Sequence, residues 1–385
     1  MPLSLAIVKQ KFLAFGGAEK VINEAIKAFY ANQAIELSIL ARSWSLPPEI
    51  ATGQNCRVIR CNPFFLGGAM RSRSFVRAVS RQLPNFDLVQ AHEPIPGAHI
   101  YRAGSGLHAQ WLKQVAHGRT ARQRHQLFQE PKHQAVLQLE REMFAHPSLR
   151  AVIANSQMVV DDLAELYPNF DKERVHLIWN GVDHQRFSPE RRSALCQESR
   201  DNLGIPANSQ VLLILGSGWH RKGLSTALEF MALLPESVIL LIAGKESHPK
   251  RFRSAAESLG IGKDRLRWIG PTSNPIQLFA AADVFVQPSM YDQMPNASLE
   301  AMACGLPVVV SRTSGTRDLI DEGGEGFVRD WHEAPDWVEP ILHALEYSES
   351  MGQASYRRVL PLTFERMLVE WLALYKELLP SSFSS

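Results

Sequence analysis

Long apolar runs are missing from this 385-residue chain. None approaches the roughly 18 consecutive apolar residues that would mark a membrane-spanning helix. Cysteine is scarce, with only Cys56, Cys61, Cys196 and Cys304. They show no metal-ligand spacing, and four in so long a chain read as reduced, mostly packed thiols of a cytosolic protein, with a Cys56–Cys61 disulfide as the minor alternative. Thirteen histidines show no pairing with metal-ligand spacing, and no metal is expected. Low-complexity tracts are absent, and residues 3–8 begin a strand directly, without the basic region and cleavage site of a secretory leader. Acid is missing from two long stretches, residues 50–86 and 94–129.

The missing acid leaves a lopsided charge. Residues 1–150 hold 19 Lys and Arg against 9 Asp and Glu, a balance of +10. The remaining 235 residues carry −8, because the whole chain is only +2. A field of one sign attracts anions: lipid headgroups, phosphorylated glycans or nucleic acid. Arg57, Arg60, Arg71, Arg73, Arg77 and Arg81 stand among Phe64, Phe65, Leu66, Phe75 and Val79, a mixture that suits an anionic membrane surface. The same segment also reads as an ordinary helix with its apolar side packed inward. No aromatic stacking platform or nucleic-acid motif accompanies the charge, so nucleic acid is not expected as a partner.

A chain of this length exceeds one comfortable core and favours two domains. Apolar β-type runs alternate with helical segments throughout, which predicts an α/β architecture with parallel sheets. Strands are predicted at residues 3–8, 37–41, 57–60, 88–92, 151–155 and 175–179. Helices are predicted at 19–30, 71–83, 131–145 and 157–166. After a break at Trp179-Asn-Gly-Val-Asp183, strands resume at 211–215, 239–243, 265–269, 284–287 and 307–310. Asn180-Gly181 reads as a turn, because both residue types tolerate positive φ. The last helix, 363–379, is amphipathic.

Chemistry concentrates in the second half. The stretch Tyr291-Asp-Gln-Met-Pro-Asn-Ala-Ser-Leu-Glu300 places Asp292 and Glu300 on either side of a loop feeding a helix. A helix N-terminus offers unpaired N–H groups to a phosphate, and flanking carboxylates accept hydrogen bonds from hydroxyls. Gly216-Ser-Gly-Trp-His-Arg-Lys-Gly223 puts Arg221 and Lys222 on a glycine-bounded turn into another helix. Two fixed cations facing a diphosphate would neutralise the charge that grows as a leaving group departs. Near the start, Phe15-Gly-Gly-Ala-Glu-Lys20 brings Gly16 and Gly17 to a strand-to-helix turn; it is not the dinucleotide fingerprint Gly-x-Gly-x-x-Gly. A ligand with hydroxyls at both ends and phosphates between them, a nucleotide-sugar, fits the whole set.

Together these motifs resemble the retaining family 4 glycosyltransferases, with Asp292 where the first of two signature glutamates is usual. The resemblance implies two facing Rossmann-like domains, the GT-B fold, with the active site in the cleft between them. Domain one would span 1–180 plus a returning helix in 363–385, and domain two 181–362. It implies that Arg221 and Lys222 clamp the diphosphate and that Asp292 faces the donor sugar. Gly16, Gly17, Gly218, Ile269, Met294, Pro295, Asn296, Ala297, Ser298 and Glu300 would line the donor, with Glu300 on the ribose. Asn180-Gly-Val-Asp183 resembles the family's hinge. The family uses a His or Asp near the reacting centre, for which His92, His99, Ser105 and His108 are candidates; His108 is taken as the catalytic one. Among relatives, Phe15-Gly-Gly, Trp219-His-Arg-Lys-Gly223 and Gly244-Lys-Glu-Ser-His-Pro-Lys-Arg-Phe252 most resemble the lipopolysaccharide core glucosyltransferases. That likeness implies UDP-glucose as the first choice of donor, with UDP-N-acetylglucosamine or a GDP-sugar as alternatives, no cofactor, an anionic membrane-linked glycan as acceptor, and work at the cytoplasmic face of the inner membrane. An epimerase of the same fold and a non-catalytic glycan- or lipid-binding relative are the competing readings.

Overall fold

The computed structural model describes residues 2–12, 17–45, 50 and 56–379. They divide into two compact units, one holding the chain through Trp179 and again from Phe364, the other holding Asn180–Thr363.

The first unit begins with β1 (Leu3–Val8), β2 (Lys11–Phe12), α1 (Gly17–Ala31), β3 (Ile35–Ala41), β4 (Ser43–Trp44) and β5 (Cys56–Arg60). It continues with α2 (Gly67–Ser80), β6 (Leu88–Ala91), β7 (Ile100–Arg102), α3 (His108–Val115), α4 (Ala121–Gln129) and α5 (Pro131–Phe144). β8 (Ala151–Ala154), α6 (Gln157–Leu166) and β9 (Val175–Leu177) complete it before the crossing. Seven strands form one parallel sheet in the order β5-β3-β1-β6-β7-β8-β9, while β2 and β4 pair separately. The central strands are apolar on both faces, as a sheet covered by helices on each side demands. One side packs Leu5, Ile7, Leu37 and Ile39 against Ile22, Ile26 and Phe29 of α1; the other packs Val8, Leu40 and Val89 against Phe75 and Val79 of α2.

The second unit contains α7 (Pro189–Asn202), β10 (Gln210–Leu215), α8 (Leu224–Leu233), β11 (Val238–Ala243), α9 (Pro249–Ser258) and β12 (Leu266–Gly270). α10 (Pro275–Ala281), β13 (Val284–Gln287), α11 (Asn296–Ala303), β14 (Val308–Ser311), β15 (Gly326–Arg329), α12 (Val338–Glu346) and α13 (Ser348–Val359) follow. Its six strands are parallel in the order β12-β11-β10-β13-β14-β15. Both sheets therefore wind outward in two directions from a first strand, the doubly wound Rossmann-like pattern.

Besides the two-residue pair β2 and β4, two strands of the main sheets escape sequence patterning. β7 is Ile-Tyr-Arg and carries a buried Arg102, and β15 opens on Gly326, where a Cβ would lie 1.7 Å from the Val308 carbonyl oxygen. Periodicity read over apolar runs passes over both. The helix expected at 71–83 starts four residues earlier at Gly67 and stops at Ser80, ahead of Pro84. The positive-φ turn expected at Asn180-Gly181 is not formed. Neither residue has positive φ; instead the Asn180 amide is buried and bonded, and Val182 bridges Thr363.

The final helix, α14 (Phe364–Leu378), packs on the first unit. Trp371 and Tyr375 lie against Phe29 with ring centroids 6.1 and 5.6 Å away. The Tyr375 hydroxyl donates to Gln90 Oε1 at 2.6 Å, satisfying the polar side chain inside β6. Arg102 places its guanidinium 5.4 Å from the Trp371 ring centroid. Trp371→Ala empties that site, with an expected cost of about 3–5 kcal/mol. Urea unfolding followed by hydrogen exchange should show the first unit weakened and the second unmoved. An unshifted first unit would mean that α14 adds no packing to it.

Candidate active site

An open parallel sheet binds its ligands outside the carboxyl ends of its strands, where the winding reverses. In the second unit that point lies between β10 and β13, and the two loops leaving those strands are residues 216–223 and 288–295. Glycine lets them meet. A Cβ on Gly223, which has φ +78°, would lie 1.7 Å from the Pro288 carbonyl oxygen, an overlap only glycine avoids. A Cβ on Gly216 would lie 2.6 Å from Cε of Lys222, so its absence clears a channel for the lysine stem. The Met290 N–H donates to the Arg221 carbonyl at 2.9 Å and laces the loops together.

At this junction the Lys222 ammonium bonds the Asp292 carboxylate. Nη1 of Arg221 lies 3.1 Å from the same carboxylate oxygen and donates to the Tyr291 carbonyl at 3.4 Å. Lys222 and Asp292 are 6% and 8% exposed, whereas Arg221 is half-buried. Burial pushes the Lys222 ammonium below its ordinary value, against the pull of Asp292. Burial pushes the Asp292 carboxyl up, but Lys222 and Arg221 together outweigh it and hold it below its ordinary 3.8. The main chain of Asp292 is fixed as well: its N–H donates to Thr313 at 2.9 Å and its carbonyl accepts from Gly315 at 2.8 Å.

Beyond Asp292 the chain enters α11 through Pro295, and no side chain caps this helix. Its first N–H groups and dipole favour an anion. Asn180 braces the approach, its amide donating to Asn296 Oδ1 at 2.9 Å and to the Met294 carbonyl at 3.4 Å. Ser298 is fully buried, and its hydroxyl is committed to Gln287 Oε1 at 2.9 Å. Ala297 and Glu300 are half-buried. Gly218, at φ +75°, donates to the Lys245 carbonyl at 2.9 Å, while Glu246 accepts from the Trp219 N–H at 2.9 Å. Ile269 lies near the end of β12, half-buried, beside Gly270, whose carbonyl accepts from Gly244 at 2.7 Å. The second unit thus gathers Arg221, Lys222, Asp292 and residues 294–300 at one end of its sheet.

In the first unit, Gly17 opens α1, and Gly16 lies outside the described residues. His108 opens α3; its N–H donates to Glu140 Oε1 at 3.0 Å and its Nε2 lies 3.0 Å from His133 Nδ1. Burial, then His133 and Lys132, bring its pKa down to about 4, so the ring is neutral near pH 7. His92 is buried and driven neutral, first by burial and then by Arg102 and Lys9. His99 Nδ1 accepts from the Val89 N–H at 3.2 Å, a packed role. Ser105 is exposed.

Sequence reading missed several residues here. Asn180 was visible only as part of a hinge, and Gln287 only as the polar end of an apolar strand. Glu93 was passed over: it follows β6, accepts from the Gln10 N–H at 3.1 Å, and lines a cavity of about 160 Å³ with Phe75, Val76 and Val136. Burial raises its carboxyl above the ordinary range despite the Gln10 bond. Among the described residues no group of three or more His, Cys, Asp or Glu could hold a metal ion.

Asp292→Ala would leave a buried ammonium without its carboxylate, at an expected cost of about 3–5 kcal/mol to the second unit. Because the Asp292 carboxyl is held below 3.8 in the fold, its stabilisation is present above that pH and lost as pH falls through the folded value. Urea midpoints of the second unit between pH 7 and 3 should therefore fall more steeply for the parent chain than for Asp292→Asn. Parallel acid profiles would show that this carboxylate carries no such contribution.

Two family descriptions match the chain: glycosyl transferases group 1 over residues 197–358 and glycosyltransferase family 4 over residues 15–186. A D-inositol 3-phosphate glycosyltransferase of Corynebacterium glutamicum is 26% identical over 90% of this chain and 88% of its own. Other curated relatives carrying that name align over about half of their length, as in Mycolicibacterium smegmatis at 30% identity over 45%. Among solved structures, WaaG, a glycosyltransferase involved in lipopolysaccharide biosynthesis, superposes with a TM-score of 0.78 at 20% identity, covering 95% of this chain and 98% of its own. Anabaena Alr3699/HepE in complex with UDP and glucose gives 0.71 at 18%, covering 97% and 100%. The structural likenesses carry the two-lobed GT-B fold. The two matched family models, which between them span most of the chain, carry the conclusion: this chain belongs to the family 4, group 1 glycosyltransferases and is a glycosyltransferase.

Proposed function

We propose that this chain is a retaining transferase that moves a hexose, with UDP-glucose as donor, onto a lipopolysaccharide-core or related membrane-linked glycan. The observation that carries this reading is the convergence of Arg221 and Lys222 on the loop leading into the uncapped start of α11. A diphosphate brings more negative charge than the carboxylate now engaging the two cations. On its arrival, Arg221 and Lys222 transfer to phosphate oxygens, and Asp292 is released to accept a hydroxyl of the donor sugar. Charge on the leaving diphosphate grows during transfer, and fixed cations at that point lower the barrier. Retention follows from attack on the face the diphosphate leaves, with the diphosphate itself helping to take the proton. The half-buried Glu300 accepts ribose hydroxyls and acts on donor affinity. Neutral His108 serves the acceptor side in this reading.

The acceptor assignment rests on charge and on likeness. The +10 balance of residues 1–150 suits a phosphorylated acceptor. WaaG is described as acting in lipopolysaccharide biosynthesis and HepE was solved with UDP and glucose. The relatives named for D-inositol 3-phosphate favour a second candidate of the same chemistry, a soluble phosphorylated polyol. No described helix is long and apolar enough to cross a membrane; the proposed association with the inner membrane is peripheral, at its cytoplasmic face.

Titration calorimetry should detect UDP in preference to GDP and ADP, and binding of none of them would end the donor assignment. In a donor-release assay with truncated core oligosaccharide or inositol phosphate as acceptor, Lys222→Ala should lower kcat by at least about tenfold with KM changed less. Glu300→Gln should instead raise the donor KM by roughly tenfold. A Lys222→Ala enzyme that folds and turns over normally would remove the phosphate role.

A further inference from the structure

We infer that the segment joining β5 to α2, together with the outer face of α2, is a docking surface for an anionic phospholipid bilayer; this locates the membrane contact left general above and rests on that reading. Phe64 and Leu66 are 73% and 72% exposed, the highest among the large apolar side chains of the described residues, and Met70 on the first turns of α2 is 43% exposed. Side chains so exposed project from the surface rather than line a groove. A bilayer closes around projecting apolar tips, whereas a protein partner would need a matching hollow for each.

The exposure is built in. Between the two tips, Phe65 turns inward, where the guanidinium of Arg42 stands 4.8 Å from its ring centroid. Arg42 is 5% exposed and ties down this segment from within. It donates to Asn62 Oδ1 and the Pro63 carbonyl, both at 3.1 Å, to Ser74 Oγ at 2.8 Å, and to the Arg71 carbonyl. A segment anchored on its inner side in this way must present Phe64 and Leu66 outward.

Charge supplies the second half of the argument. Phe75 and Val79 of α2 are fully buried, which sets the inward face. Met70, Arg73, Arg77 and Arg81 recur at helical spacing on the other side, and all four are exposed. No Asp or Glu occurs from residue 50 to 86. Apolar tips flanked by cations and free of acid match a membrane whose headgroups are anionic, with the tips among the acyl chains and the arginines at the phosphate level.

The test is flotation of the full chain with vesicles of phosphatidylglycerol in phosphatidylcholine, against vesicles of phosphatidylcholine alone. The parent chain is expected to float with the anionic vesicles, less so as salt rises. The double variants F64S/L66S and R73Q/R77Q are each expected to bind at least about tenfold more weakly. Thermal unfolding should be unchanged, since the replaced side chains are exposed. Variant binding equal to the parent's, or a parent chain that floats with neither vesicle, overturns the surface; equal binding to both vesicle types overturns the role of the arginines. UDP, GDP and ADP titrations on the same variants keep the two readings apart. Nucleotide binding without vesicle binding ends the docking surface alone, and vesicle binding lost on substitution without any nucleotide binding leaves it standing while the donor reading fails.

Discussion

An ammonium and a carboxylate held out of water at the end of a sheet impose strict conditions on everything around them. Desolvating the pair costs several kcal/mol per ion, so Lys222 and Asp292 can remain there only with close geometry and further partners. Arg221 supplies one partner, and the backbone bonds at Asp292 supply the geometry. That geometry in turn needs the loops after β10 and β13 to touch, which needs Gly223 beside Pro288 and Gly216 beside the Lys222 stem. A buried pair is poor evidence for stability. A buried, strongly perturbed ion pair is instead the mark of a candidate functional site, and under the proposed function a ligand of higher charge takes over the Lys222 ammonium already held there.

The polar side chains around the pair show the same economy. Gln287 could have been another valine of β13, yet its side chain holds Ser298 and so fixes the register of α11. Asn180 belongs to the segment where the chain passes between units, and its amide supports the loop entering the same helix. The position of α11 thus depends on one partner 11 positions away and another 116 positions away in sequence. In the first unit, Gln90, Tyr375 and Arg102 form a comparable polar seam that fastens the returning helix α14 to the sheet.

Much of this was legible beforehand because the signals are local. Val284–Gln287 and Gln157–Leu166 coincide with the sequence reading to the residue, since an apolar run or an amphipathic stretch records its own burial. Most other elements shifted by one or two residues at their ends, where capping and packing decide. The failures share a cause. β7 and β15 are short and hold an arginine and a glycine whose place makes sense only against Trp371 and Val308. Asn180-Gly181 carried a turn signal, but a buried partner for the asparagine amide outweighed local preference. In the basic segment, charge and aromatics were countable, but which rings face water was not.

By itself the sequence determined that there are two α/β halves, that the ligand end of the second half bears two cations and two carboxylates, and that the first half is strongly basic. These are properties of composition, period and short motifs, and each is written within a few neighbouring residues. Only the tertiary structure decided that Asp292 engages Lys222 and Arg221, that Ser298 turns into the core, and that Phe65 packs inward while Phe64 and Leu66 stand out. Each of those outcomes depends on atoms brought together across 11 to 70 positions of chain, and no local pattern records which partner a buried polar group will find.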